Sequence, residues 1–250
     1  MIDVHLRRLG TTSVERAENG RDFSVLRMAE EVPGTLWLPR AEQPCALVLL
    51  GHGGSRHKRD ETVLKVVRSM AARGFAVASI DGPVHGARRT VPADPEATRL
   101  EFVATWKTGD GGTARMTADW SAVLTALSLQ PELENLPVGY FGLSMGTAYG
   151  LPLLAADPRI RSAAIGMWGT NFPNSAQLAS AARKVRSPVL FMHKRNDQFF
   201  TLDGALDLFD ALATDDKRML VSCGVHTEPT EEQITYAIRH LESSLFHTVR

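Results

Sequence analysis

From residue 45 onward, two apolar patterns alternate along the chain. Short continuous runs, CALVLLGHGG (45–54), GFAVASIDGP (74–83), VGYFG (138–142), RSAAIGMWG (161–169), SPVLFMHK (187–194) and KRMLVSCG (217–224), predict strands buried on both faces. Between them apolar residues recur at helical spacing. Val63, Val66, Val67 and Met70 predict a helix over 60–73, and others are predicted over 119–129, 145–156 and 203–213. The helix over 203–213 is expected to turn Leu206, Phe209, Leu212 and Ala213 inward. A last helix turns Ile234, Ala237, Ile238, Leu241 and Leu245 inward and opens on Thr230 and Gln233, the spacing of a capping box.

Strand and helix in alternation predict an α/β fold, a mostly parallel sheet with helices on both faces. The stretch DFSVLRMAEEVPGTLWLP (22–39) differs: it reads as two strands around a turn, suited to an antiparallel N-terminal edge. Residues 83–113 break the alternation with Pro83, Pro92, Pro95 and a glycine-rich end. A connection of that length predicts a short cap excursion over the C-terminal edge of the sheet, with one short helix around 96–106.

Composition narrows this picture little. The 250 residues are 44% hydrophobic and 22% charged, as in ordinary globular chains, and suffice for one domain with a sizeable core. Lys plus Arg equals Asp plus Glu, 28 each, so no global field favours nucleic acid or an anionic membrane. No apolar stretch is long enough to span a bilayer, and residues 1–20 lack the apolar core of a secretory signal. A soluble, cytoplasmic protein is expected, and a homodimer is compatible with the chain. The cysteines Cys45 and Cys223 read as small buried residues outside any disulfide framework.

The chemistry concentrates at PVGYFGLSMGTAYG (137–150), where a predicted strand becomes a predicted helix at Gly142-Leu143-Ser144-Met145-Gly146. Glycines on either side of Ser144 let strand and helix approach closely while the serine takes a strained conformation that exposes its hydroxyl. A serine hydroxyl needs a base, and the base needs an orienting group. His226 follows the last predicted strand and Asp197 the one before it, so both lie at the same sheet edge as Ser144. An oxyanion would be met by the Met145 N–H and by a donor from GHGGS (51–55), with Gly53 the first choice and Gly54 the second. Asp203, Asp207 and Asp210 lie inside a helical pattern and suit the orienting role less well.

GTLWLP (34–39), GHGG (51–54), IDGPVHG (80–86), GLSMG (142–146) and the loops of Asp197 and His226, in that order, resemble the α/β-hydrolase superfamily, and most closely its serine esterases similar to dienelactone hydrolase. The resemblance covers roughly residues 30–250 and implies an α/β-hydrolase fold in one domain, a triad in the chain order Ser, Asp, His, and hydrolysis of a small-molecule carboxylic ester through an acyl-enzyme, without cofactor or metal. Dienelactone hydrolases proper carry a cysteine nucleophile where this chain has Ser144. An acyltransferase, a peptidase or a non-catalytic ligand receptor on the same fold would also be compatible.

Further candidates ring this edge. His52 reads as a brace for the 51–55 loop or as a substrate contact. His52, His57 and His85 match no zinc spacing. Arg88 is a candidate for a substrate anion, among the basic residues His57, Lys58, Arg59 and Arg89. Trp168 and Phe199 are candidates to line a substrate pocket, with Phe200 beside them. GDGG (109–112) reads as a loop, without the lysine and strand of a phosphate-binding motif.

Overall fold

The computed structural model describes residues 20–40 and 43–246. The extreme N-terminus, read above for a targeting segment, lies outside these up to residue 19.

The strands are β1 (Arg21–Arg27), β2 (Glu30–Trp37), β3 (Ala46–Gly51), β4 (Phe75–Ile80), β5 (Val138–Leu143), β6 (Ile160–Gly166), β7 (Val189–Lys194) and β8 (Lys217–Ser222). They form one eight-stranded sheet in the order β1-β2-β4-β3-β5-β6-β7-β8. β1 pairs antiparallel with β2, and β2 antiparallel with β4; every other pairing is parallel. The expected α/β-hydrolase architecture, antiparallel N-terminal edge included, is what the chain adopts. β3, β4, β5 and β7 are almost wholly buried, because helices cover both faces and leave no place for polar alternation.

The helices are α1 (Glu61–Ala71), α2 (Pro95–Trp106), α3 (Thr113–Ser128), α4 (Met145–Ala156), α5 (Ala176–Ala182), α6 (Leu202–Ala211) and α7 (Glu231–Phe246). α1 and α7 pack one face of the sheet through Val63, Val66, Val67, Met70, Ile234, Ala237, Ile238 and Leu241. The other five pack the opposite face.

Caps fix where helices begin. Asp60 accepts from Thr62 N–H at the start of α1, and Asp94 from Ala97 N–H at the start of α2, which has Pro95 in its first turn. The predicted capping box of α7 forms: Thr230 N–H donates to Gln233 Oε1 at 3.0 Å, and Gln233 N–H to Thr230 Oγ1 at 3.3 Å.

Three expectations need correction. Cys45 and Cys223 are both exposed: Cys45 precedes β3 at its outer end and Cys223 follows β8, so neither belongs to the apolar run beside it. Of the residues expected inward on α6, Leu212 is buried and Phe209 packs on the core, but Leu206 is 37% exposed and Gly204, Ala205 and Leu208 take the buried face. The reason is close packing: a Cβ on Gly204 would stand 2.6 Å from Asn171 Oδ1, so the small residues face inward. α3 begins at Thr113, earlier than residue 119, because the Asp110 carboxylate accepts from Gly112 and Ala114 N–H and starts the helix there. The short helix α5 had no expectation.

The 83–113 excursion does carry the expected helix, α2. Its aromatic side, Phe102 and Trp106, is buried against Tyr149 and Trp168, with Trp106 and Trp168 edge to face at 5.0 Å. The excursion is thereby pinned over the sheet edge by an aromatic cluster.

Candidate active site

Ser144 sits between β5 and α4 with φ 57° and ψ −121°, a conformation that side chains avoid. From Val138 to Leu151 it is the one residue that is not buried. Its backbone is over-determined: Ser144 N–H donates to Gly166 O at 3.0 Å, and Ser144 O accepts from Thr147 and Ala148 N–H at 2.8 and 3.1 Å. Gly146 is obligatory here, since a Cβ would stand 2.7 Å from Gly51 O on the neighbouring strand. Thr147 is a support that the sequence reading missed. Its buried hydroxyl donates to Gly142 O at 2.8 Å and accepts from Gly166 N–H at 2.7 Å, bridging β5 and β6 beneath the serine.

The loops after β7 and β8 bring Asp197 and His226 to Ser144. Beyond the strands they remain zipped, Arg195 N–H to Ser222 O and Asn196 N–H to Gly224 O. The loop to His226 is fastened at both ends by Gln233, which binds Ser222 Oγ and Thr230 N–H, and midway by Gln198 Oε1 on His226 N–H. His226 Nε2 lies 3.1 Å from Ser144 Oγ, and His226 Nδ1 lies 2.6 Å from Asp197 Oδ2. The other carboxylate oxygen of Asp197 accepts from Phe199 and Phe200 N–H at 2.9 and 3.0 Å. Burial alone would raise the Asp197 pKa. The hydrogen bond and charge of His226 and the two N–H groups outweigh it, so the carboxylate is held below its ordinary 3.8. Asp203, Asp207 and Asp210 lie on or beside α6 and play no part in this chain of contacts.

The glycine loop after β3 faces the serine from the other side. Gly53 O accepts from His52 Nδ1 at 2.8 Å and from Arg56 N–H at 3.1 Å, while His85 Nε2 donates to Gly54 O at 3.0 Å. His52 Nε2 accepts from Gly82 N–H at 2.9 Å, which puts the His52 proton on Nδ1. Burial first, then the nearby His85, push the His52 pKa down to about 3, so the ring stays neutral. In a trans peptide the N–H opposes the C=O. Fixing Gly53 O on His52 therefore sends Gly54 N–H the other way. His52 braces the loop, and its nitrogens are used up in doing so. Met145 N–H, at the first turn of α4, has no acceptor among the described residues.

Beneath both loops lies Asp81, wholly buried. It accepts from Lys58 N–H at 2.9 Å, Lys58 Nζ at 2.5 Å and Ala87 N–H at 2.8 Å, joining the 52–60 and 82–89 loops. Burial raises its pKa, but the Lys58 charge and bonds prevail and the pKa is lowered from 3.8. A carboxylate with a depressed folded pKa contributes stability that is complete above its unfolded pKa, about 3.9, and is lost as pH falls through the folded value. Asp81→Asn, which leaves Lys58 buried without a counter-charge, is expected to lower stability by about 3 kcal/mol at pH 7. The difference from wild type should narrow below about pH 4, read from urea midpoints at each pH. An equal penalty at pH 3 and pH 7 would contradict this.

Not every candidate reaches the site. Arg88 does not: its side chain is 5% exposed and Nη2 holds Asp119 Oδ2 at 2.7 Å, where Arg27 Nε also binds. It is a buried structural ion pair and does not line the cleft over Ser144. The other basic residues are engaged as well, Lys58 on Asp81, Arg59 on Asp22 and Gly20 O, and Arg89 on Glu101. Trp168 is 1% exposed and gives its indole N–H to Ser175 Oγ, so it packs under α2 and does not line the cleft. Phe200 is likewise buried, with its ring 5.4 Å from that of His226. Phe199 does line the cleft, 40% exposed, its ring edge-on to His226 at 5.3 Å. Among the described residues no group of three His, Cys, Asp or Glu could hold a metal ion, and the His52 and His85 rings meet edge to face at 4.9 Å.

The cleft over Ser144 holds about 380 Å³ and runs from Gly53, Gly54 and Arg56 to the His226 loop. Arg56 and Glu228 form an ion pair across it at 2.5 Å. Arg99, from α2, stands over the Phe199 ring at 5.8 Å.

The sequence model of the dienelactone hydrolase family matches residues 32–224. The chain belongs to that family. This member of the dienelactone hydrolase family carries a serine, Ser144, at the elbow between β5 and α4. Among solved structures, a PEG-bound cold-adapted esterase from an Arctic intertidal metagenomic library is 34% identical, with a TM-score of 0.81 over 96% of this chain and 99% of that one. Acetyl xylan esterase 1 from Thermoanaerobacterium sp. JW/SL YS485 shares the fold, at 15% identity and a TM-score of 0.72 over 99% of this chain and 89% of that one. A Mycobacterium tuberculosis (strain H37Rv) protein provisionally named a phosphoribosyl transferase is 30% identical over 149 residues. Those residues are 58% of this chain and 29% of that protein, so this chain spans less than a third of its length.

No helix among the described residues is long and apolar enough to cross a membrane.

Proposed function

We propose that this member of the dienelactone hydrolase family is a carboxylic ester hydrolase that works through an acyl-enzyme on Ser144. What carries the reading is the continuous path from Ser144 Oγ to His226 Nε2, 3.1 Å, and from His226 Nδ1 to Asp197, 2.6 Å, at the floor of an open cleft. The 34%-identical esterase, covered along nearly its whole length, supports the same substrate class.

His226 takes the hydroxyl proton as Ser144 Oγ bonds to the ester carbonyl carbon. The buried Asp197 carboxylate holds the imidazole with its proton on Nδ1 and stabilises the imidazolium that results. Met145 N–H and Gly54 N–H receive the oxyanion, and Gly54 takes precedence over Gly53 because only the 53–54 peptide is oriented by His52 and Arg56. Collapse breaks the carbonyl–alkoxy bond, and His226 returns its proton to the departing alcohol oxygen. Water then attacks the acyl-enzyme by the same route, releasing the acid and restoring Ser144. Neither a cofactor nor a metal is required.

The test is covalent labelling with a fluorophosphonate alongside turnover of a p-nitrophenyl ester. Labelling confined to Ser144, with turnover lost in proportion, is the expected result. Turnover that survives complete labelling would remove Ser144 from the chemistry.

A further inference from the structure

The cleft has two ends of different character. Its rim is charged, with Arg56, Glu228 and Arg99. Inward it is closed by Leu50 on β3, Val63 and Val66 on α1, Phe141 and Leu143 on β5, and Met167 just after β6, every one of them buried. None of these six takes part in the triad or braces the glycine loop.

Their depth follows from the topology. β3 and β4 are parallel, and α1 joins the end of one to the start of the other, so α1 descends from the active edge of the sheet. Val66 lies about 4.5 Å, three residues, below Val63. Phe141 lies two residues below Leu143, about 7 Å down β5. Val63 and Leu143 form the throat of the chamber, and Val66 and Phe141 its floor.

We propose that this chamber is the acyl subsite, that it takes a linear aliphatic acyl chain, and that Val66 and Phe141 set the length it accepts. This rests on the esterase reading above. The alcohol is assigned to the rim because His226 Nε2 must reach the leaving oxygen, and the His226 ring adjoins Phe199 and, over it, Arg99 at the open side. The other substituent of the carbonyl then points into the apolar chamber. Each methylene buried there favours the reaction by about fourfold until the chain meets the floor.

The experiment measures kcat/KM for p-nitrophenyl esters from acetate to dodecanoate, and for ethyl octanoate against octyl acetate, in wild type, Val66→Phe and Phe141→Ala. Wild type should rise with acyl length to a maximum. Val66→Phe should move that maximum to shorter chains and lose at least about tenfold on octanoates relative to acetates, octyl acetate included among the acetates. Phe141→Ala should move it to longer chains. A Val66→Phe loss equal on all esters, or one that falls on octyl acetate and spares ethyl octanoate, would overturn the proposal.

A second readout needs no turnover: octanoate binding to Ser144→Ala by calorimetry, expected to vanish when Val66→Phe is added. Octanoate that binds through Val66 in a protein whose wild type hydrolyses no ester would keep the chamber and end the esterase reading. Ester hydrolysis indifferent to acyl length, with no octanoate binding, would do the reverse.

Discussion

Ser144→Ala should reduce hydrolysis of p-nitrophenyl esters by at least about 10⁴-fold while leaving the fold intact. The methyl group that remains has the same Cβ, and the bonds that hold this residue, Ser144 N–H to Gly166 O and Thr147 and Ala148 N–H to Ser144 O, are backbone bonds that the change does not touch. What is lost is the oxygen placed 3.1 Å from His226 Nε2 at the cleft floor. A companion variant separates chemistry from strain. Ser144→Gly loses the same hydroxyl but relaxes φ 57°, and should unfold at higher urea than Ser144→Ala, by about 1 kcal/mol. Activity of Ser144→Ala within tenfold of wild type would place the nucleophile elsewhere. Equal stability of the two variants would mean that the elbow is not strained.

The elbow could be read in advance because its signals are local. A strand buried on both faces, two glycines where backbones touch and a helix behind them are all written in Val138–Ala156. Asp197 and His226 were legible for a related reason: in a parallel sheet, residues just past strand ends converge at one edge whatever the helices between them do. Arg88 and Trp168 were misread by that same rule. Both follow strands at the active edge, but position in the chain does not say what covers them. α2 lays Trp106 over Trp168, and Asp119 on α3 captures Arg88. Those partners come from α2 in the 83–113 excursion and from α3 after it, helices whose presence the sequence predicts but not which strand ends they cover. Thr147 and Gln198 escaped notice, and Gln233 was read only as a helix cap, because a hydroxyl or amide that satisfies polar groups of a loop looks like any polar residue in a sequence. In the proposed oxyanion hole, the preference for Gly54 over Gly53 rests on the partners of the Gly53 carbonyl, His52 and Arg56, which the sequence does not reveal. On α6 Phe209 and Leu212 turn inward as read, but Leu206 was misplaced because close packing against Asn171 favours Gly204 and Ala205, which hydrophobicity ranks low.

Asp197→Asn should cost about 10⁴-fold in kcat, by a route that the hydrogen bonds make specific. Asp197 Oδ1 accepts from both Phe199 and Phe200 N–H, and Oδ2 accepts from His226 Nδ1. An asparagine must keep its oxygen on the two N–H donors, since turning its NH₂ toward them would set donor against donor. Its NH₂ then faces His226 Nδ1, which can only accept, and the ring proton is forced onto Nε2. There it points at Ser144 Oγ, and the base has no lone pair for the hydroxyl proton. Because the Asp197 pKa is depressed in the wild type, its carboxylate stays ionised throughout the range where an ordinary carboxyl group titrates. In Asp197→Asn fluorophosphonate labelling of Ser144 should slow by a factor similar to that in turnover, because both need the same proton transfer. The urea midpoint should move little by comparison, since the bonds to Phe199 and Phe200 persist. If Asp197→Asn labels and turns over within tenfold of wild type, the tautomer of His226 is set by another group.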